Sequence, residues 1–294
     1  MCIVTIVTPT YNRGNLLPHL YKSLCQQTVK DFQWLIIDDG SQDNTQAVVK
    51  SMNNAPFLLE YHYKENGGKH TALNYSHPYI KGDLVFIVDS DDTLTSDAVE
   101  TILEDWQLYK NKQEIGVISY LKGRLDGSSI TNSTAPDRYI STHLDYRINH
   151  NILGDMAEVI RTDVFQKYPL PVFPGERFMP EGWLWNLVSF HYKTVYRRKI
   201  IYYCEYLEGG LTKSGRKLLM NNPLGLMAHW KTFFVSEASV RAQLKAMLLY
   251  GVYGFCAHKN IEDILSGSGR TWRMLPVMPF SLALYLFWKR KYLS

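Results

Sequence analysis

Leu84-Val85-Phe86-Ile87-Val88-Asp89-Ser90-Asp91-Asp92 is the stretch of this 294-residue sequence that decides the fold. Its first five residues are all apolar and predict a strand buried in a sheet that helices cover on both faces. Three carboxylates follow within four residues, and they repel one another unless a cation or a basic group lies among them. The stretch therefore predicts a buried strand whose carboxyl end carries a charged turn.

The same alternation of apolar strands and helical segments occupies most of the first 120 residues. Strands are predicted over residues 3–8, 32–37, 58–63, 84–88 and 115–121. Segments with apolar residues at helical spacing separate the strands, which is typical of a mainly parallel sheet flanked by helices. We therefore expect an α/β fold, followed by a mostly helical region beyond residue 222.

A polar, glycine-rich or acidic loop follows each of the first four strands. These loops are residues 8–13, 38–41, 66–70 and 89–92. In open α/β sheets, ligands bind beyond the carboxyl ends of the strands. Four unrelated loops would not all need such residues merely to turn, so their coincidence predicts a binding site at this edge of the sheet.

The acidic turn suits magnesium or manganese. Hard divalent cations prefer oxygen ligands and often bind substrate phosphates with one or two carboxylates. A nucleoside diphosphate-sugar is a substrate that needs such an ion. The alternative is a solvated turn in which Asp92 or Asp97 caps the next helix.

The second and third loops each allow two interpretations. Asp39 could accept a hydrogen bond from the imide N–H of uracil, or residues 38–41 could form an Asx turn that leads into a helix. In residues 66–70, two glycines would let the backbone approach a ligand and Lys69 would reach a ribose or a phosphate. The alternative is a plain strand-to-helix turn. The chain contains neither a GxxxxGK[ST] nor a GxGxxG motif.

Two further segments carry candidate chemistry. Glu181 stands before an aromatic-rich helical segment, where it would act as a general base in a cleft or serve as a first-turn glutamate favoured by the helix dipole. Lys213, Arg216 and Lys217 follow a pair of glycines. They predict either a basic loop that closes over a diphosphate or a solvated basic loop.

The carboxyl-terminal segment 274–288 is apolar but shorter than a membrane span and contains two prolines. Its flanks are basic, with Arg270, Arg273, Lys289, Arg290 and Lys291. This pattern favours contact with an anionic membrane surface over a helix that only packs on the rest of the protein. The first residues indicate a strand and not a signal peptide, so we expect a cytoplasmic protein, peripheral on the inner face of the plasma membrane.

The overall composition does not indicate a nucleic-acid partner. The net charge is only +4, whereas nucleic-acid-binding proteins carry a stronger and clustered basic excess. The four cysteines have no zinc-site spacing. The acidic turn therefore remains the candidate metal site.

Together the motifs resemble those of the family-two glycosyltransferases. The matching segments are Thr8-Pro9-Thr10-Tyr11-Asn12-Arg13, Asp38-Asp39-Gly40-Ser41, Gly67-Gly68-Lys69 with Ala72-Leu73-Asn74, and Asp89-Ser90-Asp91-Asp92. They occur in the family's order and spacing over residues 1–120, and a weaker likeness extends to about residue 212. The resemblance implies a GT-A fold and inverting transfer of a sugar from a nucleotide-sugar, with a UDP-sugar as the expected donor.

The resemblance also implies roles for individual residues. Asp91 would be the direct metal ligand with Asp89 beside it, and Glu181 would be the base. Gly182 follows that base where the family usually has an aspartate. The implied donor-binding set is Pro9, Tyr11, Asp39, Gly68, Lys69, Asp89 and Ser90.

We expect a catalytic domain over residues 1–222, with a nucleotide-sugar-binding half (1–120) and an acceptor half (121–222). Residues 223–294 would form a helical extension. The likeness to bacterial members that build surface polysaccharide implies a saccharide or lipid-linked saccharide as acceptor and a hexosyl or N-acetylhexosaminyl group as cargo. The chain contains no QxxRW motif, which favours addition of one sugar per encounter. The alternatives are a nucleotidyltransferase and a nucleotide-sugar-binding protein without transferase activity; the sequence leaves the oligomeric state open.

Overall fold

Nine strands form one mixed sheet in the computed structural model, which describes residues 3–52, 54–204 and 211–292. The strands are β1 (Val4–Thr10), β2 (Phe32–Asp38), β3 (Leu58–Tyr63), β4 (Leu84–Ile87), β5 (Thr93–Leu94), β6 (Ile115–Gly123), β7 (Tyr139–Ser141), β8 (Met156–Arg161) and β9 (Lys193–Tyr203). Their order is β3-β2-β1-β4-β8-β6-β9-β5, and β7 pairs with β9.

The helices lie between and after these strands. They are α1 (Leu17–Cys25), α2 (Thr45–Ser51), α3 (Lys69–Ser76), α4 (Ala98–Tyr109), α5 (Thr162–Lys167), α6 (Gly182–Ser189), α7 (Leu211–Met220), α8 (Pro223–Lys231), α9 (Val240–Cys256), α10 (Ile261–Ser268), α11 (Thr271–Met274) and α12 (Met278–Tyr292). A π-helical turn covers Leu144–Asn149, and 3₁₀ turns cover His77–Tyr79 and Leu275–Val277.

The expected α/β class is confirmed, and the parallel part of the sheet is the part that the sequence predicts. β1 pairs in parallel with β2 and β4, and β2 pairs in parallel with β3. β8 lies antiparallel between β4 and β6, which makes the complete sheet mixed. The parallel strands direct four successive loops to one edge of the sheet.

The core under this edge is formed by strands that are buried along their whole length. Every residue of β1, β2 and β4 is buried. On α1 the buried side chains Leu17, Leu20 and Leu24 recur at helical spacing, and they join the same apolar core as Trp34 of β2. The loops at the strand ends therefore rest on a close-packed base.

The chain divides into two compact units. One comprises Met1–Pro169 and Val188–Glu205 and contains the sheet; the other comprises Leu170–Leu187 and Tyr206–Ser294 and contains α7 to α12. The functional boundary that the sequence suggests after residue 222 stays a prediction.

The C-terminal helices of the second unit follow the sequence pattern closely. α9 begins after Ser239, whose hydroxyl caps the helix by accepting the Ala242 N–H at 3.3 Å. α12 packs against α9, and the Ser281 hydroxyl donates to the Leu248 carbonyl at 2.9 Å. Among the helices of the described ranges, none has the length and apolar character that a membrane crossing requires.

Candidate functional site

The loops after β1 and β2 are hydrogen-bonded to each other. The Asp39 N–H donates to the Thr10 carbonyl at 2.8 Å. The Asn12 N–H donates to the Ser41 hydroxyl at 2.8 Å, and the Asn12 side chain in turn accepts the Gln42 N–H at 2.8 Å. The predicted convergence of the polar loops at one edge of the sheet is therefore confirmed for this pair.

Asp39 connects these loops to the third one. Its carboxylate is almost fully buried and accepts hydrogen bonds from Lys64 Nζ at 2.6 Å, the Gly67 N–H at 3.0 Å and the Gly68 N–H at 2.7 Å. The Asx turn belongs to Asp38, whose carboxylate accepts the N–H of residue 41 at 2.7 Å. Asp39 thus organises the third loop, and its role towards uracil stays a prediction.

Two glycines are required for this arrangement. Gly40 has a φ of 87°, and a Cβ there would lie 2.7 Å from the Asn66 backbone nitrogen. Gly68 has a φ of 95° and directly precedes α3. Both conformations are unfavourable for residues with a side chain, so glycine permits the close approach of the second and third loops.

The acidic turn between β4 and β5 is fixed by the far half of the sheet. β5 pairs antiparallel with β9, with Leu94 opposite Tyr202. The Tyr202 hydroxyl donates to the Asp92 carboxylate at 2.6 Å and accepts the Asp89 N–H at 3.0 Å. Asp92 is therefore a buried anchor of the turn, and the alternative that it caps the next helix is wrong: the N-cap of α4 is Asp97.

Cations from other loops lie beside the carboxylates of the turn. Lys69 Nζ is 2.5 Å from Asp89 Oδ1, and Arg13 Nη1 is 3.9 Å from Asp91 Oδ2. Burial raises the pKa of Asp89, but the Lys69 ammonium and a second lysine hold that pKa below its usual value. The first, third and fourth loops are thus joined by charge.

The second lysine is Lys122 of β6, which the sequence analysis did not single out. Its Nζ lies 4.0 Å from the centre of the Tyr202 ring. Burial favours the neutral amine, but the carboxylates of Asp89 and Asp92 raise the pKa of Lys122 above its usual value. For the Asp92 carboxyl, burial has the opposite effect and raises the pKa to about 7, although the hydrogen bond from Tyr202 acts to lower it.

The remaining predicted donor residues lie near the same loops. Tyr11 is 45% exposed, so its ring is accessible to a ligand. Pro9 is buried near the end of β1. It lies two residues beyond Val7, where the pairing of β1 with β4 ends. Ser90 is buried within the acidic turn.

His70 is a second residue that the sequence analysis did not single out as a site residue. It is only 2% exposed, and neither ring nitrogen has a hydrogen-bond partner among the described residues. Burial lowers its pKa. A buried imidazole of this kind has unused hydrogen-bonding capacity beside the third loop, although its sequence context is indistinguishable from that of an ordinary helix residue.

The acidic turn offers too few side chains to hold a metal ion without a further ligand. Over residues 3–52, 54–204 and 211–292, no three His, Cys, Asp or Glu side chains form a group able to hold one. Asp89 and Asp91 nevertheless offer half-buried carboxylate oxygens. Magnesium and manganese commonly take one or two carboxylates together with phosphate oxygens. The donor set fits an ion that is shared with a bound diphosphate.

Glu181 lies in the second unit at the start of α6. It is half-buried, and its carbonyl accepts the Leu184 N–H at 2.9 Å. A Cβ at Gly182 would lie 2.9 Å from Cε1 of His229, so the imidazole fills the space that a side chain would need. Burial lowers the pKa of His229 to about 4, with a smaller effect from Lys245.

The segment predicted as a basic loop is helical. It forms α7, with a kink at Gly215 (φ 58°, ψ −145°). The Arg216 guanidinium lies 3.9 Å from the centre of the Trp288 ring and donates to the Tyr253 hydroxyl at 3.2 Å. The side chain of Lys213 lies outside the described residues. A role of Arg216, or of its neighbour Lys217, at a diphosphate stays a prediction.

Comparison with known proteins decides the family. The sequence model of glycosyl transferase family 2 matches residues 5–165, which contain all four strand-end loops. The chain belongs to this family. The resemblance read from the motifs is therefore confirmed.

Characterised and uncharacterised relatives match only part of their length. An uncharacterized glycosyltransferase of Rickettsia typhi is 27% identical over 171 residues, which are 57% of this chain and 53% of the relative. The GalNAc(5)-diNAcBac-PP-undecaprenol beta-1,3-glucosyltransferase of Campylobacter jejuni is 32% identical over 107 residues, or 34% of this chain and 33% of the relative. The chain thus spans about half of the first relative and a third of the second.

Solved structures match more of the chain. S. aureus TarS 1–349 in complex with UDP-GlcNAc has a TM-score of 0.66 at 17% identity, covering 96% of this chain and 88% of TarS. The mannosyltransferase PcManGT from Pyrobaculum calidifontis, in complex with GDP-Man and Mn²⁺, has a TM-score of 0.61 at 15% identity, covering 96% and 86%. These likenesses show the fold, and the expected GT-A fold is confirmed.

Proposed function

We propose that this protein is an inverting glycosyltransferase that moves one sugar from a UDP-sugar to a hydroxyl of a saccharide or lipid-linked saccharide. The observation that carries the proposal is the convergence of charged loops at the carboxyl ends of β1 to β4, in a chain that belongs to glycosyl transferase family 2. A doubly charged diphosphate fits a site where cations already lie beside carboxylates.

In the donor site, Tyr11 and Asp39 would hold the nucleoside, with Pro9, Gly68 and Ser90 shaping the pocket. Lys69 would exchange its partner Asp89 for a ribose or phosphate oxygen when the donor binds. An exchange for a phosphate oxygen costs little, because the ammonium then keeps an anionic partner in both states.

Asp91 and Asp89 would hold Mn²⁺ or Mg²⁺ together with the diphosphate. When bound, the ion supplies positive charge that stabilises the leaving nucleoside diphosphate. Lys122 keeps its charge beside Asp89 and Asp92, and so offsets the repulsion among the carboxylates before the donor arrives.

Glu181 would remove the proton of the acceptor hydroxyl while that oxygen attacks the anomeric carbon from the side opposite the diphosphate. A single displacement inverts the configuration, and it needs no second carboxylate as a nucleophile. General-base catalysis of this kind contributes typically about 10²–10⁴-fold to the rate.

The relatives support the choice of substrates. The UDP-GlcNAc in the complex of TarS favours a hexosyl or N-acetylhexosaminyl donor bound to UDP, and the name of the Campylobacter relative includes a PP-undecaprenol acceptor. An acceptor of that chemistry is met at a membrane, so the enzyme would work as a peripheral protein at the cytoplasmic face, in surface polysaccharide synthesis.

Release of UDP from a panel of UDP-sugars, measured with manganese and with a chelator, tests this function. We expect at least one sugar to yield UDP with manganese, with loss of the signal in Asp91→Asn but not in the exposed control Asp31→Asn. Binding of UDP-sugars without turnover, even with acceptor saccharides, would indicate a non-catalytic binding protein. Release of pyrophosphate from nucleoside triphosphates with a sugar phosphate would indicate a nucleotidyltransferase.

A further inference from the structure

The outer side of the C-terminal helices is apolar and exposed. Trp272 is 86% exposed, and Phe280 and Phe287 of α12 are 70% and 59% exposed. We define the C-terminal apolar face by Leu275, Phe280, Leu282, Leu286 and Phe287. All five side chains are among the large exposed hydrophobic residues of the described chain. Single exposed apolar residues are common on protein surfaces, whereas a cluster of them typically marks an interaction site.

The opposite side of α12 is already used for packing. Its buried residues Met278, Ser281 and Trp288 recur at helical spacing, and α12 packs with this side against α9. α12 is therefore apolar on both sides, although only one side has a partner among the described residues of the second unit. An ordinary surface helix presents polar residues to water, so the apolar outer side needs a different environment.

Positive charge is concentrated at the carboxyl end of the same helix. Lys289, Arg290 and Lys291 are exposed and follow the apolar residues directly. Lys291 Nζ lies 6.0 Å from the centre of the Phe287 ring, which places this cation at the rim of the apolar face. No acidic residue occurs in α12. The combination of an apolar face with a basic rim fits a surface that is apolar inside and anionic outside.

We propose that the C-terminal apolar face docks on the anionic phospholipid surface of a membrane. Phe280 and Phe287 enter the boundary between headgroups and acyl chains, and Lys289 and Lys291 lie at the level of the phosphates. This deepens the proposed function, because it gives the enzyme a route to a lipid-linked acceptor. The helix lies in the membrane plane and does not cross the bilayer.

Co-sedimentation of the full-length protein with vesicles tests the docking. We expect binding to vesicles of phosphatidylcholine mixed with phosphatidylglycerol, and weak binding to phosphatidylcholine alone. The double variant Phe280→Ser/Phe287→Ser should weaken binding at least about a hundredfold, because two aromatic side chains that would leave water on docking are lost. Lys289→Gln/Lys291→Gln should weaken binding to the anionic vesicles roughly thirtyfold, at about 1 kcal/mol per cation.

Matched variants control for nonspecific effects. Val240→Ser/Leu244→Ser removes two exposed apolar side chains from α9, and Lys22→Gln/Lys50→Gln removes two exposed cations from the first unit. Both controls should bind vesicles like the wild type. Because the substituted residues are exposed, the folded state of each variant is checked simply by its unchanged unfolding temperature.

Equal vesicle binding by the wild type and the phenylalanine double variant would overturn the proposal. A wild-type protein that stays in the supernatant with every vesicle would overturn it too. If such a protein forms a dimer in analytical ultracentrifugation and the double variant does not, a second copy of the chain covers the apolar face. Release of UDP from the donor, measured without vesicles, should be the same in all variants. Its absence in an otherwise vesicle-binding protein would contradict the proposed function and leave the docking intact.

Discussion

The acidic turn of the first unit follows β4, and Glu181 of the second unit precedes α6. Both places present carboxylates, but different contacts stabilise them. The carboxylates of Asp89 and Asp91 lie beside Lys69 and Arg13, so ionic contacts between sequence-distant loops add to the Tyr202 hydrogen bonds that hold the turn. Next to Glu181 a steric contact limits the chain, because the ring of His229 occupies the space beside Gly182.

This difference determines which substitutions each region tolerates. In the acidic turn, removal of one charge leaves the neighbouring charges unbalanced, while small changes of volume matter less. Next to Glu181, a change of one methyl group alters the packing while the charge stays constant. For the free energy of unfolding, substitutions of charge and of volume should therefore have opposite rankings in the two regions.

The largest effect is expected at the proposed base. Glu181→Gln keeps the shape of the side chain but removes its basicity, so kcat should fall by about 10²–10⁴-fold with the donor affinity unchanged. Steady-state kinetics of sugar transfer measures both quantities. The exposed Glu262→Gln is the matched control and should retain wild-type kinetics. A fully active Glu181→Gln would mean that the base lies elsewhere.

The next effect concerns the stability of the charged loops in the absence of any ligand. Asp39→Ala removes the acceptor for Lys64, Gly67 and Gly68 and leaves the ammonium without its partner. We expect the free energy of unfolding to fall by about 3–5 kcal/mol in urea titrations.

The control for this variant is Asp31→Ala at an exposed position, with an expected change within about 0.5 kcal/mol. If Asp39→Ala were as stable as this control and lost only UDP binding, the carboxylate would serve the ligand and not the loop.

A smaller effect is expected on the pH dependence of the free energy of unfolding, through His229 of the second unit. The pKa of His229 is lowered to about 4 in the folded state, whereas the unfolded chain takes up the proton near pH 6.5. The stability that depends on the neutral ring is thus complete above pH 6.5 and is lost as the pH falls towards 4, by at most about 3 kcal/mol.

Urea titrations of the wild type and of His229→Gln between pH 7.5 and 4 would measure this loss. The glutamine variant lacks the titrating ring, and its stability should decrease less over the same interval. Parallel curves for the two proteins would show that the ring is accessible to protons in the folded state.

The smallest effect is the steric one. Gly182→Ala should destabilise the protein by about 1–3 kcal/mol, because the new methyl group meets the ring of His229. In a His229→Ala background the same substitution should cost clearly less. A double-mutant cycle measures this coupling, and additive effects would show that the two residues do not constrain each other.

The sequence predicted the fold and the position of the strand-end loops well because both depend on local patterns. The alternation of strands and helices predicts that the strands pair in parallel. The loops at their carboxyl ends then lie at one edge of the sheet, independently of the rest of the chain. The family motifs then pointed to Asp89 and Asp91 as metal ligands, and that assignment stays a prediction. The mostly helical region beyond residue 222 was also predicted from local patterns, and α8 to α12 confirm it.

The contacts that the sequence did not reveal connect residues far apart in the chain. Lys122 and Tyr202 reach the acidic turn only because β6 and β9 pair in the far half of the sheet. The contact of Gly182 with His229 spans two helices of the second unit, so the glycine appeared only as a departure from the family pattern. The helical state of Arg216 was missed because the preceding glycines suggested a loop.

Calorimetric titration of UDP into the protein tests most directly that the strand-end loops form a donor site. We expect UDP to bind with manganese present, and binding to weaken by more than about tenfold with a chelator or in Asp91→Asn. Lys69→Met should also weaken binding, while Lys50→Met, at an exposed position, should not. Equal UDP affinity in the wild type, Asp91→Asn and Lys69→Met would contradict the assignment of the donor site.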